Sequence, residues 1–155
     1  MYRGFPQRLH HSVPYWVDEV ALFHIRIRLE RTESQISLID PDLAPLILDS
    51  ALFYQEKHRW HITIFNLMPV HLHAMLSFPR DQAMSVVVGN WKKFHQTKQG
   101  VLWQENYFDH RLRADERGEQ FSAKLDYIRN NPVAAGLCAR AEDWPWIIDP
   151  YNGGT

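Results

Sequence analysis

Residues 60–78 constrain the fold more than any other stretch of the chain. Two apolar runs, WHITIFNL and VHLHAMLSF, stand end to end with only Met68 and Pro69 between them. Each is short, apolar and closed by turn residues, the pattern of a buried strand. A two-residue break allows a hairpin but not a parallel crossover, so the pair reads as the middle of an antiparallel sheet. The second run also carries two histidines. Side chains alternate along a strand, so His71 and His73 project from one face while Leu72 meets the opposite layer. Two imidazoles side by side on a rigid strand make half of a divalent-metal site. An isolated pair of this kind is equally compatible with histidines that only rim the sheet.

The rest of the chain surrounds this hairpin with alternating elements. Residues 20–29 place Phe23, Ile25, Ile27 and Leu29 on one side and His24, Arg26 and Arg28 on the other, as in a half-buried strand. Residues 43–58 have helical spacing through Leu48 and Leu52, with Pro45 tolerated only in the first turn. Residues 82–98 predict a second helix with Met84, Val87, Val88, Trp91 and Phe94 inward, and Lys92, Lys93 and Lys98 outward, broken by Gln99-Gly100. An extended stretch falls within residues 103–113. A third helix, capped near Asp115, runs to Asn130 and stops at Asn131-Pro132. Trp144-Pro145-Trp146 folds back onto the core. The order strand, helix, strand, strand, helix, strand, helix predicts an α+β, ferredoxin-like sandwich: a mainly antiparallel sheet with helices packed on one face. Residues 1–155 read as one domain, with 1–19 an irregular lead-in and 132–155 an irregular C-terminal tail.

Composition narrows the class. At 45% hydrophobic and 23% charged residues the chain is an ordinary globular protein. A net charge of −1 argues against a protein that coats nucleic acid. Yet residues 61–113 hold six Lys/Arg against three acids, together with five histidines, so positive charge gathers around the histidine pair. The lone Cys138 excludes an internal disulfide framework and reads as a small buried filler. No apolar run reaches membrane-span length, and the first residues lack the apolar core of a secretory signal. A cytoplasmic location follows as the expectation.

A second pair of residues lies about fifty positions downstream. Tyr127 and Asn131 are four apart in a helical stretch and share one face. Each has a local explanation, the tyrosine as packing with a wet tip and the asparagine as a cap. Taken with the histidines, they carry a resemblance. Met-Pro followed by H-x-H, then a helical Y-x-x-x-N before Pro-Val-x-x-Gly-Leu, is similar to the HUH single-tyrosine transposases, and closest to the REP-associated tyrosine transposases of bacteria. The segments RLHHSVPYW at 8–16, WKKF at 91–94, WQENYFDHRLR at 103–113 and EDWPW at 142–146 fall in the family's order, so the resemblance spans roughly residues 8–150.

The resemblance implies a metal-dependent single-stranded DNA endonuclease and strand transferase acting on hairpin-forming palindromic repeats. Tyr127 would be the nucleophile, leaving a 5′-phosphotyrosine and a free 3′-OH. His71, His73 and Asn131 would hold Mg²⁺ or Mn²⁺, a donor set that suits Mn²⁺ better and does not suit structural zinc. Lys92, Lys93, Arg111 and Arg113 would contact phosphates. Trp91 and Trp103 read as core. A phenol needs help at neutral pH, and His110 and Lys124 are candidate bases. The implied partner is single-stranded or hairpin DNA, with no membrane, for a monomer or homodimer that meets the bacterial nucleoid when bound to DNA. Where the family carries a polar residue between Pro and the first histidine, this chain has Val70. That departure supports the alternative of a catalytically weakened hairpin-binding protein. A further rival, a two-histidine RNA phosphoesterase, would use His61-Ile62-Thr63 with His10-His11-Ser12 as its partner.

Overall fold

The computed structural model describes residues 13–32, 36–112 and 118–151. Among these, one antiparallel sheet runs in the order β4-β1-β3-β2-β5, formed by β1 (Leu22–Arg28), β2 (His61–Leu67), β3 (His71–Ser77), β4 (Phe108–Leu112) and β5 (Ile147–Ile148). Three helices accompany it: α1 (Ala44–Glu56), α2 (Met84–Gln99) and α3 (Glu119–Ala134). The expected hairpin joins β2 to β3, closed by Met68 N donating to His71 O at 2.8 Å. Pro45 sits in the first turn of α1, where its missing N–H is harmless. No helix among the described residues is long and apolar enough to cross a membrane.

Alternation divides β3 between two layers. Leu72, Ala74 and Leu76 join Ile25 and Ile27 beneath α1 and α2, where Trp60, Phe65 and Trp91 fill the main core. The opposite face is mixed. One half carries the histidines, while Leu22, Ile64, Met75 and Leu112 leave an apolar patch on the other half. That patch requires cover, and Leu125 and Ile128 of α3 supply it. The α+β architecture is therefore as expected, but the helices are divided: α1 and α2 lie on one face and α3 on the other.

Two helices depart from expectation in detail. On α2 the inward stripe passes through His95 rather than Phe94, which is 45% exposed. A buried histidine is tolerated there because Ser50 Oγ and Gln99 Oε1 lie at hydrogen-bond distance from its two ring nitrogens. The third helix does not stop at Asn131-Pro132 but continues through Pro132 to Ala134. The expected cap at Asp115 lies outside the described residues.

The tail is more ordered than an irregular reading implies. Trp144 is buried and donates its indole N–H to Leu67 O at 3.1 Å, and β5 pairs with β2 through Phe65 and Asn66. Arg129 of α3 grips Asp149 through Nε at 2.6 Å and a second guanidinium nitrogen at 3.0 Å, tying α3 to the tail. In the lead-in, Tyr15–Glu19 form a 3-10 turn. Cys138 is only partly buried.

Candidate active site

The histidine face of β3 and the exposed edge of α3 meet in an open cleft of about 320 Å³, lined by Arg26, Arg28, His71, His73, Tyr127 and Asn131 among others. The His71 and His73 rings stand perpendicular, with centroids 4.9 Å apart. Tyr127 sets its ring edgewise on His73 at 5.6 Å. At 54% exposed, Tyr127 is open to a ligand entering the cleft, whereas His73 is 2% exposed. Helical periodicity brings Asn131 to the same face one turn later, beside His71. The structure therefore gathers all four residues of the predicted nucleophile and metal set.

A third histidine belongs to the cluster. His24 of β1 stacks on His73 with ring centroids 5.3 Å apart, and His24 Nε2 shares a 3.1 Å hydrogen bond with His73 Nδ1. This leaves Nε2 of His73 as the nitrogen available to a ligand. A His73 that offers that lone pair keeps its proton on Nδ1 and donates it to His24, an arrangement that fixes tautomer and ring orientation together.

The local electrostatics keep these rings neutral. Burial drives His73 down to about 3, with help from His71, His24, Arg26 and Arg28. Burial likewise takes His24 to about 4, assisted by Lys124, Arg26 and His110. His71 is lowered mainly by burial and then by Arg28, against a weaker opposing effect of Asn131. Uncharged imidazoles with available lone pairs are what a cation needs. Among the described residues, the buried His71 Nδ1 and Asn131 Oδ1 lie close together but make no hydrogen bond of good geometry. Two imidazole nitrogens and an amide oxygen thus fit a hard-to-borderline divalent cation that keeps open positions for substrate. Among the described residues no group of three or more His, Cys, Asp or Glu could hold a metal.

The depressed histidines have a consequence for stability. In the unfolded chain these rings titrate near 6.5; in the fold His24 stays neutral to about 4. Below pH 6.5 the unfolded state binds more protons, so stability is present above that pH and is lost as pH falls towards 4. For His24 alone the loss is about 3 kcal/mol across that window. Urea unfolding at pH 7.0, 5.5 and 4.5 should show the midpoint falling; a constant midpoint would contradict the burial of neutral histidine.

The predicted phosphate contacts are placed differently. Lys92 is half-buried on α2, its ammonium donating to the carbonyls of Gln104 at 2.8 Å and Glu105 at 3.0 Å and lying over the Tyr107 ring. Lys93 and Lys92 line a separate cleft against α2, together with Trp103 and Tyr107. Arg111 pairs with Phe23 across β4 and β1, so its Cβ faces away from the histidines. Arg113 lies outside the described residues. None of the three described cations is brought to the histidine cleft. The cations that do line it are Arg26, opposite His73, and Arg28, opposite His71, in the β1–β3 register. Among the described residues, none that lines the cleft is acidic. The polar side of residues 20–29 carried this signal, but only strand pairing reveals that it faces the histidines.

Other candidates resolve in turn. His110 pairs with His24 across β4 and β1, and Lys124 lies one turn before Tyr127; the charge of each acts on His24. Trp91 and Trp103 are buried in the core, as read. His61 is buried against Trp16 opposite Ser77, at the far end of β3 from His71, and His10-His11-Ser12 lie outside the described residues. The Val70 side chain is exposed, and its carbonyl accepts from Leu29 N at 2.9 Å, so this residue holds the strand without orienting His71.

No protein-family model and no curated protein matches the chain. Among solved structures, a REP-associated tyrosine transposase bound to a REP hairpin has the same fold, with a TM-score of 0.68 over 82% of this chain and 75% of that one, at 21% sequence identity.

Proposed function

We propose that this chain is a DNA nicking and joining enzyme of the REP-associated tyrosine transposase kind, acting on hairpin DNA. The observation that carries this reading is the cleft itself: an exposed tyrosine edge-on to one of two neutral histidines, with an asparagine one turn along and two arginines opposite. The fold it shares with a transposase solved on a REP hairpin supports the same substrate class.

In this reading the Tyr127 oxygen attacks a phosphodiester held in the cleft. The Tyr127 phenol gives up its proton as its oxygen bonds to phosphorus, the bond from phosphorus to the 3′ oxygen breaks, and that oxygen takes up one proton to leave as a 3′-OH, so the step is proton-neutral. The 5′ strand end stays on the tyrosine, so the bond energy is conserved and a second 3′-OH can reverse the step. Mg²⁺ or Mn²⁺ held by His71, His73 and Asn131 would polarise the phosphate and stabilise the departing oxygen. Arg26 and Arg28 neutralise the incoming backbone, and among the described residues no carboxylate lines the cleft to oppose it. His24 holds His73 in its ligating orientation.

Incubating the protein with an end-labelled hairpin and Mn²⁺ tests the reading on a denaturing gel. A covalent adduct supports it. Tight hairpin binding with no adduct favours the alternative of a weakened binding protein, for which Val70 is the motive.

The position of the arginines separates two DNA paths. Arg28→Ala should weaken hairpin binding about tenfold near 0.1 M salt and reduce the salt slope by about one. Lys92→Ala should change affinity less, because its ammonium is already spent on two carbonyls. Equilibrium titrations across salt concentrations read both; the reverse order would place the backbone along α2 instead.

A further inference from the structure

Proline 132 stands inside α3 and its nitrogen carries no hydrogen. The carbonyl of Ile128, four residues earlier, therefore lacks its regular i+4 donor, and a proline ring disfavours the carbonyl at that position. That carbonyl accepts instead from Asn66 Nδ2 at 2.9 Å, in a buried contact between β2 and α3. Asn66 is fully buried and sits directly opposite His73 in the β2–β3 register. Ile128 follows Tyr127, and Pro132 follows Asn131. One carboxamide thus ties the helical turn that carries the phenol and the amide to the sheet position beside His73.

The apolar contacts of α3 do not supply this constraint. Leu125 and Ile128 rest on Leu22, Ile64 and Met75, but burial of that kind is non-directional, and the Arg129–Asp149 pair ties α3 to the tail rather than to the strand that carries the histidines. A hydrogen bond to a single carbonyl sets both rotation and height. The pairing is also chemically selective. The group opposite is an acceptor, so residue 66 must present a donor, here the amide N–H, and Asn66 Oδ1 is left buried without a partner among the described residues. An orphaned oxygen in one partner and a proline inside a helix in the other each weaken the fold. An apolar residue at 66 with alanine at 132 would pack the same space without either defect.

We infer that Asn66 and Pro132 form a lock that holds Tyr127 and Asn131 in register with His71 and His73, with Asn66 acting as a positioning residue for the phenol. This rests on the nicking reading above. Pro132 opens the carbonyl, Asn66 closes on it, and the nucleophile turn is fixed between them.

The two substitutions act in opposite senses. Asn66→Ala leaves the Ile128 carbonyl bare, while Pro132→Ala returns an intrahelical N–H to it. In single-turnover reactions with saturating hairpin and Mn²⁺, Asn66→Ala should slow adduct formation about tenfold. Hairpin affinity should stay within about twofold, since the arginines lie on β1. Adding Pro132→Ala should bring the rate to within about threefold of the Pro132→Ala protein alone. Amide exchange in protein without DNA or metal gives a readout independent of catalysis: α3 amides should exchange about tenfold faster in Asn66→Ala, with β1 to β3 unchanged, and recover in the double variant. An unchanged adduct rate in Asn66→Ala, or a loss that Pro132→Ala fails to relieve, overturns the lock. If the unsubstituted protein forms no adduct, the nicking reading fails and exchange alone decides: relief in the double variant supports the lock, its absence overturns it. If Asn66→Ala does not fold, a folded double variant supports the lock and an unfolded one overturns it.

Discussion

Tyr127→Phe should abolish the covalent protein–DNA adduct, lowering its rate by at least about 10³-fold, or some 4 kcal/mol of transition-state stabilisation. The change removes one oxygen and leaves the ring that packs edgewise on His73. Because the residue is half-exposed and its hydroxyl is not part of the core, stability should be unchanged to within about 0.5 kcal/mol. Hairpin affinity should be equally insensitive, since the arginines opposite the histidines remain. The informative result is the combination: adduct lost, binding and melting retained. An adduct that survives in Tyr127→Phe would move the nucleophile elsewhere and end the proposed chemistry, however well the protein bound DNA.

What the sequence disclosed about this site, and what it concealed, follows from the range of each physical signal. A period of two along a strand is local, so the shared face of His71 and His73 is readable without knowing any neighbour. The i, i+4 relation of Tyr127 and Asn131 is local in the same way. Which face α3 covers is not local. It depends on Leu22, Ile64, Met75 and Leu112 converging from four strands into one patch, and that convergence is what carries the tyrosine to the histidines rather than to the α1 and α2 side. Register is equally hidden: Arg26 and Arg28 read as the wet side of a strand until pairing sets them opposite His73 and His71. A regional surplus of positive charge proved a poor guide to the cleft, because Lys92 and Lys93 ride on a helix whose apolar stripe docks on the other face of the sheet. The helix runs past Asn131-Pro132 for a related reason. Proline forfeits a hydrogen bond, and only the tertiary structure shows that a side chain from β2 takes up the stranded carbonyl.

The largest effect after the nucleophile should come from the imidazoles, and the two are expected to fail differently. His71→Ala and His73→Ala should each weaken Mn²⁺ binding by about 10²-fold or more, measured by calorimetry or by the loss of the free-ion resonance signal. Their effects on stability should diverge. His71 lines the cleft, its Nδ1 without a well-formed hydrogen bond among the described residues, so alanine there should remove a proposed ligand and little else; its melting temperature should stay within a few degrees of the parent. His73 is nearly fully buried and hydrogen-bonded to His24, so alanine opens a cavity and strands a second ring, at about 2–4 kcal/mol. The burial that holds these rings neutral does so through the surrounding protein and its arginines, before any cation arrives. The proposed ligand set would therefore be preorganised by the fold rather than assembled by the metal. Chelation should accordingly abolish the adduct without unfolding the chain, unlike a structural zinc site, where loss of metal and loss of fold coincide. Undiminished Mn²⁺ affinity in both variants would remove the metal from this cleft; a melting loss in His71→Ala equal to that in His73→Ala would show that its ring serves the core.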